Sequence, residues 1–345
     1  MELKEAVARV SRREDLTLDE MRAVMSTIMR GEADPVQMGG FLIGLAMKGE
    51  STDEITAAVM VMRELMRPVT VSADHVVDIV GTGGDGAGLF NVSTAASFAA
   101  AACGARVAKH GGRGVSSSSG SADLLMKAGV SLSLEGEQIA RCIEEVGVGF
   151  MFAPNHHTAM RHAVAVRRAL GVRTMFNILG PLTNPTGATR QVIGVYSPDL
   201  ILPMARVLKR LGSRHVLVVH ADDGLDELSL AGPSRVAELD EGHISEYVLT
   251  PEAVGLRRQS LDGLRARDTD ESLALVRAAL RGEGAAADMV AYNAGAALYV
   301  AGVSDSIATG VAAVKNALGE GRGLERLEAL ADFSTRLAGG RSAPS

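Results

Sequence analysis

The apolar pattern of this chain changes period once, at His75, and that change decides what it can fold into. Before it, every apolar stripe has the spacing of a helix. At His75 a short strand begins, His75-Val-Val-Asp-Ile-Val80, and it runs directly into Gly81-Thr-Gly-Gly-Asp-Gly86. Upstream, Thr17 with Glu20 has capping-box spacing ahead of Met21, Val24, Met25, Ile28 and Met29 on one face. Gly31 and Pro35 break that pattern, a middle helix follows over Val36 to Met47, and Ser51 with Glu54 opens a third. Its apolar positions are Ile55, Val59, Met62, Leu65 and Met66, and Pro68 ends it. The expectation is a bundle of three short helices whose methionine stripe fills a core.

Downstream, strand and helix patterns alternate. Ala105 to Ala108 and Val216 to His220 read as strands. Thr94 to Gly104, Ala122 to Ala128, Gly136 to Val146, Ala159 to Leu170 and Leu200 to Leu211 read as helices. That order predicts an α/β sheet covered by helices. The tail from Thr335 to Ser345 is expected to fray. The predicted division is a helical domain over 1–72, with a helical segment returning near 160–190, and an α/β domain over 73–345.

Composition narrows the function classes. The 345 residues carry 41 acidic and 35 basic side chains, a net charge of −6, which disfavours a general nucleic-acid binder. With 47% hydrophobic residues the chain is not disordered. Cys103 and Cys142 form no disulfide framework and have no metal-ligand spacing. The first fifteen residues lack a signal-type apolar stretch, and the alanine-rich run Ala95 to Ala105 is too short to span a bilayer. The expected compartment is a reducing cytoplasm.

Five motifs carry chemistry. The first, Gly81-Thr-Gly-Gly-Asp-Gly-Ala-Gly88, lets a backbone turn its N–H groups toward an anion. It lacks the Gly-Lys-Ser/Thr of a Walker A loop. It fits Gly-x-Gly-x-x-Gly only formally, because no acidic residue stands near position 106 to hold a ribose. The second, Asn91-Val-Ser-Thr94, opens the next helix, where Ser93 and Thr94 are expected to cap it and face an anion. The third is Lys109-His-Gly-Gly-Arg-Gly-Val-Ser-Ser-Ser-Ser-Gly-Ser-Ala-Asp123, which combines charge, glycine and hydroxyl donors in a way linkers rarely do. In the fourth, His220 to Ser229, Asp226 and Glu227 supply paired oxygen ligands suited to Mg²⁺ beside a polyanion, while Asp222 and Asp223 read as turn residues. The fifth runs from Arg167-Arg168 through Arg173-Thr-Met-Phe-Asn177 to Gly180-Pro-Leu-Thr-Asn-Pro185, and an arginine there suits a carboxylate.

Taken together, in this order and over nearly the whole chain, these motifs resemble the anthranilate phosphoribosyltransferase family. Single pieces are shared with nucleoside phosphorylases of the same fold group. The combination of Gly180-Pro-Leu-Thr-Asn-Pro185 with Asp226-Glu227 is more specific. The resemblance implies a nucleoside phosphorylase-like fold, with a small helical domain on a larger α/β domain with a mixed central sheet. It places the active site in the cleft between them and implies a homodimer formed through the helical domain. The implied reaction joins the amine of anthranilate to C1 of 5-phosphoribosyl 1-diphosphate, releasing diphosphate, in tryptophan biosynthesis.

By the same resemblance the sugar diphosphate is held by Gly81, Gly84, Asp85, Asn91, Val92, Ser93, Thr94, Lys109, His110, Gly111, Gly112, Arg113, Gly114, Val115, Ser116, Ser117 and Ser121. Mg²⁺ falls to Ser93, Asp226 and Glu227. Anthranilate falls to Gly81, Gly112 and Arg167, and the catalytic assignments are Lys109 and Arg167. Three positions depart from the family pattern. Gly112 stands where an asparagine amide is usual, Leu89 where a threonine is common, and Thr158 where proline is usual. The Gly112 change keeps open a same-fold enzyme with another aromatic acceptor. A non-catalytic nucleic-acid-binding relative is a further alternative, opposed by the net charge and by the retained Asp226 and Glu227.

Overall fold

The computed structural model describes residues 1–114 and 119–339. Four helices open the chain where three were expected: α1 (Leu3–Val10), α2 (Leu18–Arg30), α3 (Pro35–Lys48) and α4 (Thr52–Leu65). The sequence reading misses α1 because its few buried positions, Leu3, Ala6 and Val10, are interleaved with charge. Both capping boxes form, with Thr17 accepting from the Glu20 N–H and Ser51 from that of Glu54. Met21, Val24, Met25, Ile28 and Met29 are all buried, so the methionine stripe is core.

Seven strands follow: β1 (Val76–Gly81), β2 (Arg106–Gly111), β3 (Val148–Phe152), β4 (Arg190–Gly194), β5 (His215–Ala221), β6 (Ser234–Asp240) and β7 (His243–Leu249). They form one mixed sheet in the order β3-β2-β1-β4-β5-β6-β7. The β3 to β5 portion is parallel, and β6 and β7 are added antiparallel. Alternate residues serve opposite layers, as the period of a strand requires. Val216 and Val218 of β5 join the apolar cluster of the N-terminal helices, while Leu217 and Val219 join the larger cluster behind the sheet.

The connecting helices are α5 (Val92–Ala102), α6 (Ser121–Lys127), α7 (Gly136–Arg141), α8 (Ala153–His156), α9 (Arg161–Leu170), α10 (Phe176–Leu179) and α11 (Ile201–Arg210). Four more, α12 (Thr269–Leu280), α13 (Gly284–Ala301), α14 (Ile307–Gly319) and α15 (Arg322–Gly339), end the chain. The helix predicted over Gly136 to Val146 changes to a π turn at Cys142. The fraying predicted from Thr335 is corrected as far as Gly339. Leu327, Leu330 and Ser334 bury one face of α15, and the Ser334 hydroxyl accepts from the Ser131 N–H at 3.0 Å.

Two features of the topology position a site. After β1 the chain lays β2 and β3 on one side, then returns to lay β4 on the other, so the strand order reverses between β1 and β4. The carboxyl ends flanking such a reversal form a crevice that binds ligands in open α/β sheets. The return passes through α8, α9 and α10, which pack back on the N-terminal helices: Val166 and Leu170 of α9 face Gly39 of α3, and Arg63 donates to the Leu182 carbonyl at 2.9 Å.

Candidate active site

The crevice is built from backbone outward. Gly81 and Gly194 are register partners at the ends of β1 and β4. A Cβ on Gly194 would lie 1.5 Å from the Asp226 carbonyl oxygen, and one on Gly81 would lie 2.4 Å from Asp226 Oδ2. Only glycine at both strand ends lets the Asp226-Glu227 segment cross them. The crossing is fixed by the Gly83 N–H, which donates to Asp226 Oδ2 at 2.7 Å.

The loop from Gly81 to Gly88 then curls through left-handed backbone at Gly83, Gly84, Gly86 and Gly88. Thr82 donates its N–H to the Gly194 carbonyl at 2.9 Å. The N–H groups of Gly84, Asp85 and Gly86 have no hydrogen-bond partner among the described residues. Consecutive unpaired N–H groups of this kind form an anion-binding concavity.

The second motif is placed as expected but works differently. Asn91 is the N-cap residue, and Ser93 and Thr94 lie inside the first turn of α5 without capping it. Asn91 instead donates to the Ser119 carbonyl at 3.1 Å and accepts from the Ser272 hydroxyl at 2.6 Å. At the N-terminus of α5 the Val92 N–H donates to the Phe90 carbonyl at 2.7 Å and the Ser93 backbone bonds the Glu227 carboxylate, so the positive end of the helix is turned toward the acids. Val92 is buried beneath it, and the Thr94 hydroxyl is buried without a hydrogen-bond partner among the described residues.

Lys109 extends from β2 beneath β1. Its Nζ donates to the Ile79 carbonyl at 2.7 Å and lies 3.3 Å from Ser93 Oγ, with the residue only 3% exposed. Burial lowers the Lys109 pKa, while the charges of Asp78, Glu227 and Asp226 pull it back up. Burial and the neighbouring Asp85 raise Asp226 to about 6. Burial and Asp226 raise Glu227 well above the carboxylate range, opposed by Lys109 and the Ser93 backbone. Lys109 offsets only part of this buried negative charge. Among the described residues no three His, Cys, Asp or Glu side chains enclose a metal. Ser93, Asp226 and Glu227 offer oxygen donors alone, the donor type Mg²⁺ takes, and these residues would hold such an ion.

The third motif wraps the same end of the sheet. His110 is buried, with its ring 5.0 Å from that of His157 in an edge-on contact. Burial pushes His110 well down and His157 to about 4, so both are neutral at physiological pH. Gly111 and Gly120 allow close chain crossing, since a Cβ on either would lie 2.2 Å from Ser121 Oγ and from the Gly114 nitrogen respectively. Asp123 Oδ2 accepts from both Gly114 and Gly120, and Arg113 sits 3.5 Å from the same carboxylate. Gly112 has none of the described residues within 4 Å of where a Cβ would stand. Val115, Ser116 and Ser117 lie outside the described residues.

Arg167 sits apart from this cluster. It is half-buried on α9, with its guanidinium 5.4 Å from the Phe176 ring centroid and no ion pair among the described residues. Burial lowers its pKa, although not enough to discharge a guanidinium. The structure thus joins the glycine loop, Ser93, Lys109, Asp226 and Glu227, and holds Arg167 on the helical side. Sequence reading misses Asp78, Gly194, Arg173 and Tyr196. Asp78 reads as strand core, and Gly194 ends a strand with no motif to mark it. Arg173 stands within the fifth motif without a role of its own.

Comparison with known proteins agrees with this geometry. Residues 73–324 match the model of the glycosyl transferase family a/b domain, and residues 4–66 match the helical bundle domain of the same family. Anthranilate phosphoribosyltransferase of Chromohalobacter salexigens is 61% identical over 98% of this chain and 98% of its own. The enzyme of that name from Thermus thermophilus, a crystal structure, has 47% identity, covers 96% of this chain and 99% of its own, and superposes with a TM-score of 0.90. The Saccharomyces cerevisiae enzyme in complex with PRPP and Mg covers 97% of this chain and 98% of its own, with a TM-score of 0.88 at 23% identity, and shows the same fold. With unpaired N–H groups, a buried lysine and paired acids at the strand reversal, and relatives this similar over their full length, the chain belongs to the anthranilate phosphoribosyltransferase family.

Proposed function

We propose that this crevice binds 5-phosphoribosyl 1-diphosphate and that the amine of anthranilate displaces the diphosphate from its C1. The observation that carries the reading is the meeting of the partnerless Gly84, Asp85 and Gly86 N–H groups with Lys109, Asp226 and Glu227 at one end of the sheet. The N–H groups and the α5 N-terminus receive phosphate oxygens. Lys109, whose charged form Asp78, Glu227 and Asp226 favour against the cost of burial, would offset charge gathering on the departing group. Ser93, Asp226 and Glu227 would hold Mg²⁺, which when bound draws charge off the diphosphate.

In the reaction the C1–N bond forms as the C1–O bond breaks, and the amine proton passes to solvent. An aromatic amine is unprotonated at neutral pH, so no strong general base is required. Gly81, Gly112 and Arg167 form the acceptor side, with Arg167 near the carboxylate. The remaining sugar-diphosphate contacts are Gly81, Asn91 to Thr94, His110 to Ser117 and Ser121. Placement of amine and ribose in line contributes much of the acceleration.

The helical body is taken as 1–72 with the returning segment near 160–190, the α/β body as 73–345, and the assembly as a cytoplasmic homodimer. Among the described residues no helix is long and apolar enough to cross a membrane. The test is loss of anthranilate fluorescence with purified protein. Loss that requires 5-phosphoribosyl 1-diphosphate and Mg²⁺ together supports the reading, and a flat trace refutes it. The space at Gly112 among the described residues favours one second reading, a different aromatic acceptor, and profiling other aromatic amines with the same donor discriminates the two.

A further inference from the structure

We propose that Arg173 is a positioning residue that turns the glycine loop's N–H groups toward the diphosphate, and this rests on the donor reading above. Arg173 stands between α9 and α10, on the helical side, and its Nη2 donates to the carbonyl of Gly84 across the crevice. The Gly84 carbonyl and the Asp85 N–H belong to one planar unit, and every peptide bond described is trans. In a trans unit the two groups point in opposite directions. An arginine that draws the carbonyl outward therefore drives the Asp85 N–H the other way, and that N–H has no partner among the described residues.

Three further contacts make this a built device. Gly84 lies at φ +79°, and a Cβ there would stand 3.3 Å from Arg173 Nε and Nη2, so glycine both forms the turn and admits the guanidinium. The guanidinium stacks 4.2 Å from the Tyr196 ring centroid, a cation–π distance. The N–H of Tyr196 in turn donates to Thr82 Oγ1 at 3.0 Å. The loop is thus held at Thr82 and at Gly84 by one stacked pair. Tyr196 comes from the turn after β4 and Arg173 from the helical return. Arg173 makes no ion pair among the described residues, so its charge is directed at the carbonyl and the ring.

The test is calorimetric titration of the full-length protein with 5-phosphoribosyl 1-diphosphate and Mg²⁺, alongside both KM values and the melting temperature. Arg173→Ala is expected to weaken donor binding about tenfold, the worth of one charge-assisted hydrogen bond, with the anthranilate KM unchanged. Tyr196→Leu is expected to weaken it about threefold through loss of the stacking platform, and Tyr196→Phe, which keeps the ring, to bind as wild type. Donor binding unchanged in Arg173→Ala overturns the inference. So does an equal rise in both KM values with a lower melting temperature, which marks a merely structural role. If Arg173→Ala does not fold, the Tyr196 pair decides, and Tyr196→Leu binding as tightly as Tyr196→Phe overturns it. Wild-type protein that fails to bind the donor refutes the donor reading and takes this inference with it.

Discussion

Gly194→Ala is a one-methyl perturbation whose effect follows from a single distance. The new Cβ would lie 1.5 Å from the Asp226 carbonyl oxygen, 2.4 Å from its carbon and 3.1 Å from its Cα. All three are backbone atoms, so no side-chain rotation relieves the clash. To reach ordinary contact the Asp226 segment must withdraw by about 2 Å, and a misplacement of even about 1 Å costs on the order of 100-fold in rate. The fold itself should lose about 1–3 kcal/mol, the usual cost of overpacking a tight site. The assay is turnover at saturating donor and acceptor across an Mg²⁺ titration, with thermal melting in parallel. Gly112→Ala is the control for stability, because its Cβ meets nothing within 4 Å among the described residues. Gly194→Ala with wild-type turnover and melting temperature would refute the argument that glycine is there to admit Asp226.

The double change Asp226→Ala with Glu227→Ala should abolish Mg²⁺-dependent turnover while circular dichroism stays native, and full activity would remove the metal assignment. Arg167→Ala should raise the anthranilate KM about tenfold and leave that of the donor nearly unchanged, as steady-state kinetics would report; a rise in the donor KM alone contradicts the acceptor role. Asp78 gives a pH test. Burial raises its pKa to about 6, opposed chiefly by Lys109. For an acid raised on folding, the folded state holds the extra proton, so stability is greatest below the ordinary carboxylate range and falls as pH rises to about 6. The shift is worth about 3 kcal/mol. Asp78→Asn should therefore gain on wild type from about pH 4 to about pH 6 and hold that gain above it in urea melts, and parallel pH profiles would exclude the effect.

The parts of this molecule legible in the sequence are those fixed by local chemistry. Capping boxes at Thr17 and Ser51 bond to their own third residue, so the helices they open could be read directly. β1 and β5 are short, mainly apolar, valine-rich runs, and the glycine loop sits next to its strand. The less legible parts depend on distant partners. β4 is short and contains Gln191, whose amide donates to the Pro181 carbonyl in the core at 3.0 Å. β6 and β7 form a hairpin in which β7 is largely exposed and its alternation blurred. Ser93 and Thr94 have the chemistry of caps, yet Asn91 takes that position and bonds to residues 119 and 272. Gly194 carries no signal of its own, because what it admits is 32 positions downstream.

The return of α9 and α10 to the N-terminal helices also sets an order of assembly. A ribosome that has made residues 1–72 has made all four opening helices but not the elements that cover them. Ala163, Met175, Phe176 and Leu179 complete that apolar cluster, together with Val216 and Val218 from the sheet. The bundle that leads the chain therefore cannot bury this surface until elements far downstream have been made. During synthesis its methionine-lined face must wait about ninety further residues for Ala163, and a nascent chain paused before Ala163 presents that face to whatever holds it in the cell.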